Sequence, residues 1–436
     1  MLTKLQALIQ DYGFERNYWL AYSGGLDSQV LLQLCVRLRE LQPFSFRAVH
    51  VHHGLSQHAD RWLAHCLASC EKVQVELTCL RVDARSPQGL SLEAYARQKR
   101  YEALRKILGP QDILLTAHHQ DDQAETLLLQ LLRGAGLKGL SAMPSVKAFG
   151  QGLLLRPFLE TTGAELAVYA KAEQLVWVED ELNQDLHYPR NLLRHEILPL
   201  IKKHWPMATK TLARAAGHCA ETQDLLAYFA DQDLEQIRGA SPSILAIKPL
   251  LKLSSARQRL VLRRWLEVQG VLMPSAVQLA ELQQAVLQAR EDSRPFLVSG
   301  QVELRRYQNQ LYLISPLQPH DTSLVYSWNL KQALAIPGIG NLKASAQKGK
   351  GLQQEIQQVE VRFRQGGEVY RLQNGQHHPL KKFFQEQAIP SWKRDRLPLL
   401  YFKTSLVAIP GYFVSAPFQA KPEELGWVMD LCEALG

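Results

Sequence analysis

The sequence feature that most constrains the fold is an octapeptide, Ala21-Tyr22-Ser23-Gly24-Gly25-Leu26-Asp27-Ser28. The apolar, aromatic-rich residues 18–22 predict a short buried strand. Leu26–Leu41 follows with apolar residues at helical spacing. Glycines at such a strand-to-helix turn allow a close backbone approach or a positive φ. The free N–H groups of the helix favour a bound anion, although a tight turn capped by serine explains the same residues.

The turn differs from the common phosphate loop, because the GxxxxGK[ST] spacing is missing and no lysine follows the glycines. The string SGGLDS at a strand-to-helix junction instead resembles the PP-loop of the ATP pyrophosphatase family. That resemblance implies an enzyme that splits ATP into AMP and pyrophosphate and adenylates an oxygen of a second substrate. It also implies that the phosphates lie against Ser23, Gly24, Gly25, Leu26, Asp27 and Ser28, with the Asp27 carboxylate on Mg²⁺.

The composition is that of an ordinary globular protein. The chain has 436 residues, of which 46% are hydrophobic and 21% charged, enough for about two to four domains. Its net charge of +8 favours a polyanionic partner. No apolar run approaches the ~20 residues of a membrane span, and the amphipathic N-terminus lacks the features of a signal peptide. We therefore predict a cytoplasmic protein with no membrane partner.

The cysteines do not form a metal or disulfide pattern. All six are separated by spacings other than Cys-x-x-Cys, which argues against a zinc site, an iron–sulfur site or a disulfide framework. We predict mostly buried thiols in a reducing compartment.

Strands and helices alternate through the first half of the chain, which predicts an α/β domain with a doubly wound parallel sheet. The predicted strands are residues 18–22, 46–53, 75–82, 112–119 and 153–158. The predicted helices are residues 26–41, 58–73, 91–101, 120–133 and 162–174, with Ser91 as an N-cap. Ligands of such sheets bind at the carboxyl ends of the strands. SGGLDS, His52-His53, His118-His119 and Arg156-Pro157 all fall at these ends, which predicts one shared cleft.

A second polar stretch, HHQDDQAET, opens the helix after the fourth predicted strand. Asp121 and Glu125 lie four residues apart and therefore share a helix face, with His118 close by. From these residues alone, three interpretations remain: acidic residues that favour a helix start, a Mg²⁺ site, or a zinc site.

Longer motifs indicate which family of PP-loop enzymes the chain resembles. AHHQDDQAETLLLQLLRGAGLKGLSAM, HVHHGLS, EAYARQKRYEAL and RPFL resemble the tRNA(Ile)-lysidine synthetase family. Residues 178–199 are similar to a further motif of that family, apart from Leu182, where a small polar residue is typical. The resemblance is strong from about residue 15 to residue 200.

This resemblance implies a reaction and its participants. ATP adenylates the C2 carbonyl oxygen of the first anticodon cytidine of a tRNA(Ile) with a CAU anticodon. The ε-amine of free L-lysine then attacks C2 and AMP leaves, which changes the identity of the tRNA from methionine to isoleucine. The implied catalytic residues are Asp27, Arg97, His118, Asp121 and Glu125. The implied contacts to RNA or nucleotide are Arg190, Asn191 and Arg194.

The rest of the chain predicts two further domains. Residues 205–288 have a helical pattern, in which Ala213, Ala216, Leu225, Leu226 and Phe229 fit one apolar face. A cluster at Arg257, Arg259, Arg263 and Arg264 fits either a solvated face or RNA phosphate contacts. We predict a PP-loop catalytic domain over 1–205, a mainly helical tRNA-contacting domain over 206–316, and a small α+β tRNA-binding domain over 320–436.

The last domain follows a proline-bearing linker at residues 315–321. It resembles the C-terminal domain of the same synthetases through RFRQGGE, LKKFFQE and IPSWKRDRLPLLY. Basic residues interleaved with aromatics, including Lys381 and Lys382, suit an RNA surface. An ordinary basic helix over a small core fits the same pattern.

Two other functions remain open from the sequence. One is a different PP-loop RNA enzyme such as a tRNA thiolase, although such enzymes usually need catalytic cysteines. The other is a nucleotide-binding regulatory protein, which would not need the dense polar stretch at residues 118–125. The sequence also leaves open whether the protein is a monomer or a homodimer.

Overall fold

The structure is a computed structural model that describes residues 1–54, 58–83, 85, 92–179, 181–289, 295–371 and 376–433. Ser91, the predicted N-cap, lies outside the described residues. The chain forms two compact units, Met1–Leu226 and Ala227–Gly436.

The first unit is built on one sheet. Its strands are β1 (Tyr18–Ala21), β2 (Phe46–His52), β3 (Leu77–Arg81), β4 (Ile113–Leu115), β5 (Val146–Phe149) and β6 (Gly152–Leu155). The strand order is β3-β2-β1-β4-β6-β5, and every neighbouring pair is parallel except β5–β6. The predicted parallel sheet is therefore confirmed. The antiparallel edge strand β5 was not predicted; it joins β6 through a tight turn at Gly150, whose φ is +62°.

Helices cover both faces of this sheet. They are α1 (Leu2–Tyr12), α2 (Leu26–Leu41), α3 (Ala59–Lys72), α4 (Leu92–Ile107), α5 (Gln120–Leu132), α6 (Leu137–Leu140), α7 (Gly163–Ala172), α8 (Pro189–Leu192), α9 (Leu198–His204) and α10 (Ala208–Ile237), the last continuing into the second unit. A 3₁₀ turn spans Glu181–Gln184, and a π-helical turn, Leu193–Ile197, joins α8 to α9.

Alternate residues of β1 enter opposite cores. Leu20 is fully buried in the core that contains α1, α2 and α7, whereas Trp19 packs against the core that contains Leu104 of α4. This alternation is the pattern of a strand that is buried on both faces. Because β1 lies between β2 and β4, the order in which strands are added to the sheet reverses at β1, and a crevice opens at the carboxyl ends of β1 and β4.

The second unit contains a helical region with its own sheet. The helices are α11 (Ile247–Leu251), α12 (Ser255–Val268) and α13 (Ala276–Glu281), followed by a π-helical turn, Leu282–Leu287. The strands are β7 (Ile244–Ala246), β8 (Phe296–Ser299), β9 (Val302–Tyr307) and β10 (Gln310–Ile314), in the order β7-β10-β9-β8. The core between them includes Trp265, Leu262 and Leu304.

The C-terminal region is rich in strands, with two short helices, as the prediction of an α+β domain requires. Its strands are β11 (Tyr326–Asn329), β12 (Leu334–Ile336), β13 (Gly340–Lys348), β14 (Leu352–Gln353), β15 (Gln358–Arg362), β16 (Val369–Arg371), β17 (His377–Pro379), β18 (Leu399–Phe402), β19 (Ser405–Ile409), β20 (Phe413–Val414) and β21 (Leu425–Glu433). The helices are α14 (Leu380–Glu386) and α15 (Ser391–Arg394), and a 3₁₀ turn spans Ala416–Phe418.

Some expectations about side chains were wrong. Ala216 of α10 is buried, but Leu225 and Phe229 are 60% and 57% exposed, so the predicted apolar face is not buried along its whole length. Cys35, Cys66 and Cys70 are buried, whereas Cys432 is exposed.

None of the helices in the described ranges is long and apolar enough to cross a membrane.

Candidate active site

The turn between β1 and α2 leaves the start of α2 open to a ligand. Gly25 is the N-cap of α2, and as a glycine it supplies no side chain to the N–H groups of the first turn. Below the turn, Ser23 Oγ lies 3.1 Å from Ser28 Oγ, and the Ser28 hydroxyl donates to the Gly25 carbonyl at 2.9 Å. The serines therefore shape the turn, while the N–H groups at the positive end of the helix dipole face the crevice.

Gly24 is the residue of this turn that must be glycine. Its φ is +83°, and a Cβ there would lie 2.9 Å from Cys66 Sγ and 3.1 Å from a methyl group of Val178. The Val178 N–H also donates to the Gly24 carbonyl at 3.0 Å. The turn therefore packs tightly between α3 and the segment that follows α7.

We expect Gly24→Ala to lower the free energy of unfolding by about 1–3 kcal/mol, because alanine is strained at this φ and meets the thiol. Chemical denaturation measures the change. Gly25→Ala is the matched control for stability, since the φ of Gly25 is −77° and its Cβ would meet nothing closer than 3.5 Å. Equal stability of the two variants would contradict the expectation.

A cleft of about 740 Å³ lies in the first unit beside this turn. The predicted site residues that line it are Ser23, Gly25, Leu26, Asp27, Ser28, Arg97, His118, Arg190, Asn191 and Arg194. Gly24, Asp121 and Glu125 are not part of its lining. The two polar motifs that lie about ninety residues apart in the sequence therefore open into one cavity.

Behind one wall of the cleft, two carboxylates bind two arginines. Arg190 donates from Nε to Glu125 at 2.7 Å and from Nη2 to Asp122 at 2.9 Å. Arg194 donates from Nε to Glu125 at 2.6 Å and from Nη2 to Asp122 at 2.8 Å. The Glu125 side chain is only 1% exposed. Burial lowers the pKa of Arg190, but Asp122 and Glu125 more than offset it, so the guanidinium stays charged.

Asp122 is a charged residue of the cleft that sequence reasoning passed over. It lines the cleft, whereas its neighbour Asp121 turns toward the N-terminus of α7 and accepts from the Gly163 N–H at 2.8 Å and Lys202 Nζ at 2.9 Å. Burial raises the pKa of Asp122, but His119 and Arg190 lower it well below its usual range. Its pairing with Arg190 and Arg194 spans 68 and 72 residues of sequence, so no local signal marked it.

His118 projects into the cleft as a neutral imidazole. Its Nδ1 lies 3.0 Å from the hydroxyl of Thr116. Burial lowers the pKa of His118, and the nearby guanidinium groups of Arg156 and Arg97 lower it further against the opposing effect of Asp122. At neutral pH the ring therefore carries no charge and can accept a hydrogen bond.

His119 lies behind the turn and contacts three carboxylates. Its Nε2 is 3.5 Å from Asp27 and 3.7 Å from Asp122, and its Nδ1 is 3.6 Å from Asp121. Burial lowers the pKa of His119, but these carboxylates raise it above its ordinary value overall. His119 therefore connects the start of α2 with the start of α5.

The opposite wall is cationic and aromatic. The Arg97 guanidinium lies 5.1 Å from the centre of the Tyr101 ring, and Arg100 lies 5.7 Å from the same ring. Burial and the charge of Arg100 lower the pKa of His53 to about 4. The buried Nδ1 of His53 has no hydrogen-bond partner in the part of the chain that the structure describes.

These donors fit a nucleoside triphosphate with Mg²⁺. The uncapped start of α2, which lines the cleft from Gly25 to Ser28, suits phosphates. Within the described ranges, no group of three His, Cys, Asp or Glu side chains could hold a metal ion by itself. Mg²⁺ does not require such a group, because it commonly binds one or two carboxylates together with substrate phosphates. The Asp27 side chain, 39% exposed in the cleft, is a suitable carboxylate.

The remaining predicted residues lie in the second unit. Lys381 and Lys382 are exposed on α14, and Lys382 Nζ lies 4.0 Å from Glu386. In the arginine cluster of α12, Arg257 pairs with Asp233 and Arg264 pairs with Asp231. These two arginines are already engaged by carboxylates, which favours a structural role for them over phosphate contacts.

Comparison with known proteins identifies the family. The profile of the PP-loop domain matches residues 1–201, that of the TilS substrate binding domain matches residues 245–312, and that of the TilS substrate C-terminal domain matches residues 359–431. A crystal structure of a TilS C-terminal domain aligns over 26% of this chain and 100% of that chain, at 20% identity and a TM-score of 0.22.

Curated relatives match almost the whole chain. The tRNA(Ile)-lysidine synthase of Coxiella burnetii is 42% identical over 98% of this chain and 96% of its own length. That of Methylococcus capsulatus is 40% identical over 94% and 95%, and that of Escherichia coli O157:H7 is 42% identical over 94% and 95%. The chain belongs to the tRNA(Ile)-lysidine synthase family.

Proposed function

We propose that this protein is the ligase that joins free L-lysine to C2 of the first anticodon cytidine of tRNA(Ile), with ATP converted to AMP and pyrophosphate. One observation carries the proposal: the open start of α2, Asp27, His118 and Asp122 share a single cleft at the carboxyl ends of β1 and β4. That arrangement supports a reaction in which a phosphate-binding group and a polar proton-accepting group act on the same substrate.

The reaction has two steps. In the first, the C2 oxygen of cytidine attacks the α-phosphorus of ATP, the bond to the bridging oxygen breaks, and pyrophosphate leaves. In the second, the ε-amine of lysine attacks C2, the C2–O bond breaks, and AMP leaves with the oxygen. A proton leaves the nitrogen of lysine, so the site must hold a proton acceptor.

The phosphates would lie against the first turn of α2, where unpaired N–H groups and the helix dipole favour negative charge. When bound there, Mg²⁺ would supply positive charge against the phosphate oxygens. We assign the Asp27 carboxylate as the protein ligand of this Mg²⁺. Ser23 and Ser28 hold the turn in shape through their mutual hydrogen bond.

The cytidine and the lysine would lie at the other end of the cleft. Neutral His118 and ionised Asp122 can both accept a hydrogen bond from the amine of lysine or of the cytidine at neutral pH. Arg97, which stacks on Tyr101, supplies a positive charge at the opposite wall. We assign Glu125 and Asp121 to positioning, since Glu125 orients Arg190 and Arg194 while Asp121 holds Lys202 and the start of α7.

We also propose the domain division 1–205, 206–316 and 320–436, with the last two parts contacting the tRNA. Arg190, Asn191 and Arg194 would contact the RNA or the nucleotide at the cleft, and Lys381 and Lys382 would contact it on α14. The net charge of +8 supports a polyanionic substrate. We propose that the protein acts in the cytoplasm, as a monomer or a homodimer.

Incubation of the full chain with ATP, labelled lysine and tRNA tests this function. We expect label to enter only tRNA(Ile) with a CAU anticodon, with one AMP released per lysine incorporated. Incorporation of sulfur instead would indicate a tRNA thiolase. Binding of ATP without transfer of lysine to any tRNA would contradict the proposal and favour a regulatory protein.

Lys381 and Lys382 should act through phosphate contacts. We expect Lys381→Ala with Lys382→Ala to weaken binding to all tRNAs equally and to lower the slope of log K against log salt by about 2. Fluorescence anisotropy over a salt series measures both. Lys147→Ala, which removes an exposed lysine of β5, is the matched control. An unchanged slope would remove these lysines from the RNA interface.

A further inference from the structure

Residues 389–398, Ile-Pro-Ser-Trp-Lys-Arg-Asp-Arg-Leu-Pro, combine aromatic and basic side chains in a way that suits RNA. In the structure, three of these side chains are half-buried and contact protein: Trp392, Arg394 and Arg396. Their partners belong to the sheet β7–β10, to the linker that precedes the C-terminal domain, and to the C-terminal domain itself.

Trp392 and Arg394 pack against the sheet β7–β10. The Trp392 ring lies edge-on to Tyr312 at 5.2 Å and to Tyr307 at 6.1 Å, and the Arg305 guanidinium lies 5.7 Å from it. Arg394 donates from Nη2 to the hydroxyl of Tyr307 at 2.7 Å and from Nε to the Ile389 carbonyl at 2.8 Å. Trp392 and Arg394 therefore already contact side chains of β9 and β10.

Arg396 and Asp395 form hydrogen bonds to the linker and to other parts of the C-terminal domain. Arg396 donates from Nη1 to the Gln318 carbonyl at 2.7 Å and from Nη2 to the Gly338 carbonyl. Asp395 accepts from Arg364 at 3.1 Å. Next to them, Gln365 donates to the Thr322 carbonyl at 2.6 Å. One ten-residue segment therefore touches both regions that the substrate-domain profiles match, 245–312 and 359–431, and the chain between them.

We propose that residues 389–398 form a clasp, which fixes the sheet β7–β10 and the C-terminal domain in one orientation so that both contact a single tRNA at a fixed separation. Domains of one chain move relative to each other unless a specific interface holds them. A fixed pair of weak RNA contacts binds more tightly than the same contacts on a loose linker, because the rigid connection holds the second contact at a higher effective concentration. The RNA part of this inference rests on the proposed function.

A pair of variants on opposite sides of the clasp tests the proposal. Tyr307→Phe removes the acceptor of Arg394 from β9, and Arg394→Ala removes the donor from the C-terminal domain. We expect each to weaken the binding of whole tRNA by on the order of tenfold. The double variant should be no weaker than the single variants, because both changes open the same contact. Tyr412→Phe, which alters a 43% exposed tyrosine outside the clasp, should bind as the unaltered protein does.

If Arg394 instead contacts RNA directly, Arg394→Ala will weaken binding while Tyr307→Phe will not, and the proposal is overturned. The isolated anticodon stem-loop supplies a second comparison. We expect it to bind the clasp variants and the unaltered full chain equally, since it is too short to use both regions. A loss of stem-loop affinity equal to that for whole tRNA would also overturn the clasp.

Limited proteolysis without RNA tests the clasp independently of the proposed function. We expect the linker at residues 315–323 to be cut about tenfold faster in Trp392→Ala and Arg394→Ala than in Tyr412→Phe, because local opening exposes it. Equal cleavage rates would overturn the clasp. If the unaltered chain resists cleavage as expected but binds no tRNA, the proposed function fails while the clasp stands.

Discussion

Asp27→Ala is expected to lower the rate of tRNA-dependent ATP–pyrophosphate exchange by about 10³-fold. The carboxylate is the acidic group that we assign to Mg²⁺ beside the open turn, and a methyl group cannot take its place. Exchange of labelled pyrophosphate into ATP isolates the adenylation step from the attack of lysine. Because the Asp27 side chain is 39% exposed, the temperature of unfolding should change little.

Two controls separate chemistry from folding in that experiment. Glu160→Ala removes a carboxylate that is 83% exposed and pairs only with Lys4 in the described contacts, so it should leave exchange unchanged. Asp27→Glu keeps the charge but moves it by one methylene, and should recover part of the lost rate. Normal exchange in Asp27→Ala would remove this residue from the reaction.

Glu125→Leu is expected to destabilise the protein by about 3–5 kcal/mol, the range observed when one partner of a buried ion pair is removed. Its side chain is 1% exposed and accepts hydrogen bonds from both Arg190 and Arg194. Without it, two guanidinium groups share the single carboxylate of Asp122. Urea denaturation gives the difference in the free energy of unfolding.

Glu125→Gln is the matched variant, because it keeps the volume and two polar atoms but loses the charge. We expect it to lose less stability than Glu125→Leu, yet to raise the KM for tRNA if Arg190 and Arg194 must be held toward the cleft. A KM equal to that of the unaltered protein, at normal stability, would show that the two arginines need no such support.

Local sequence signals predicted much of this fold. SGGLDS, a buried strand before it and a helical spacing after it identified β1, the turn and α2 without any long-range information. The alternation of strands and helices gave the parallel sheet, and the rule for its carboxyl ends brought His118 to the same cleft. The edge strand β5 was not predicted because it is only four residues long, with the poor strand formers Lys147 and Ala148 at its centre, and because it pairs with β6 alone, across the turn at Gly150.

The directions in which side chains point were harder to predict from the sequence. Periodicity places Asp121 and Glu125 on one face of α5, but it does not say which face meets the cleft, since that depends on how α5 leaves β4. The ion pairs of Glu125 with Arg190 and Arg194 span 65 and 69 residues of sequence. The contact of Arg394 with Tyr307 spans 87 residues of sequence. From the sequence alone, the aromatic and basic residues around Arg394 suggested an RNA surface instead.

The burial of α2 has a consequence for turnover. Nine of its residues, from Ser28 to Leu38, are buried, so the end that receives the phosphates is anchored in the core of the unit. Products must leave after each cycle, and the most exposed part of the cavity lining is the segment that contains Glu179, Asn183 and Gln184. We therefore expect any opening that releases products to occur at this segment, while the start of α2 keeps its position.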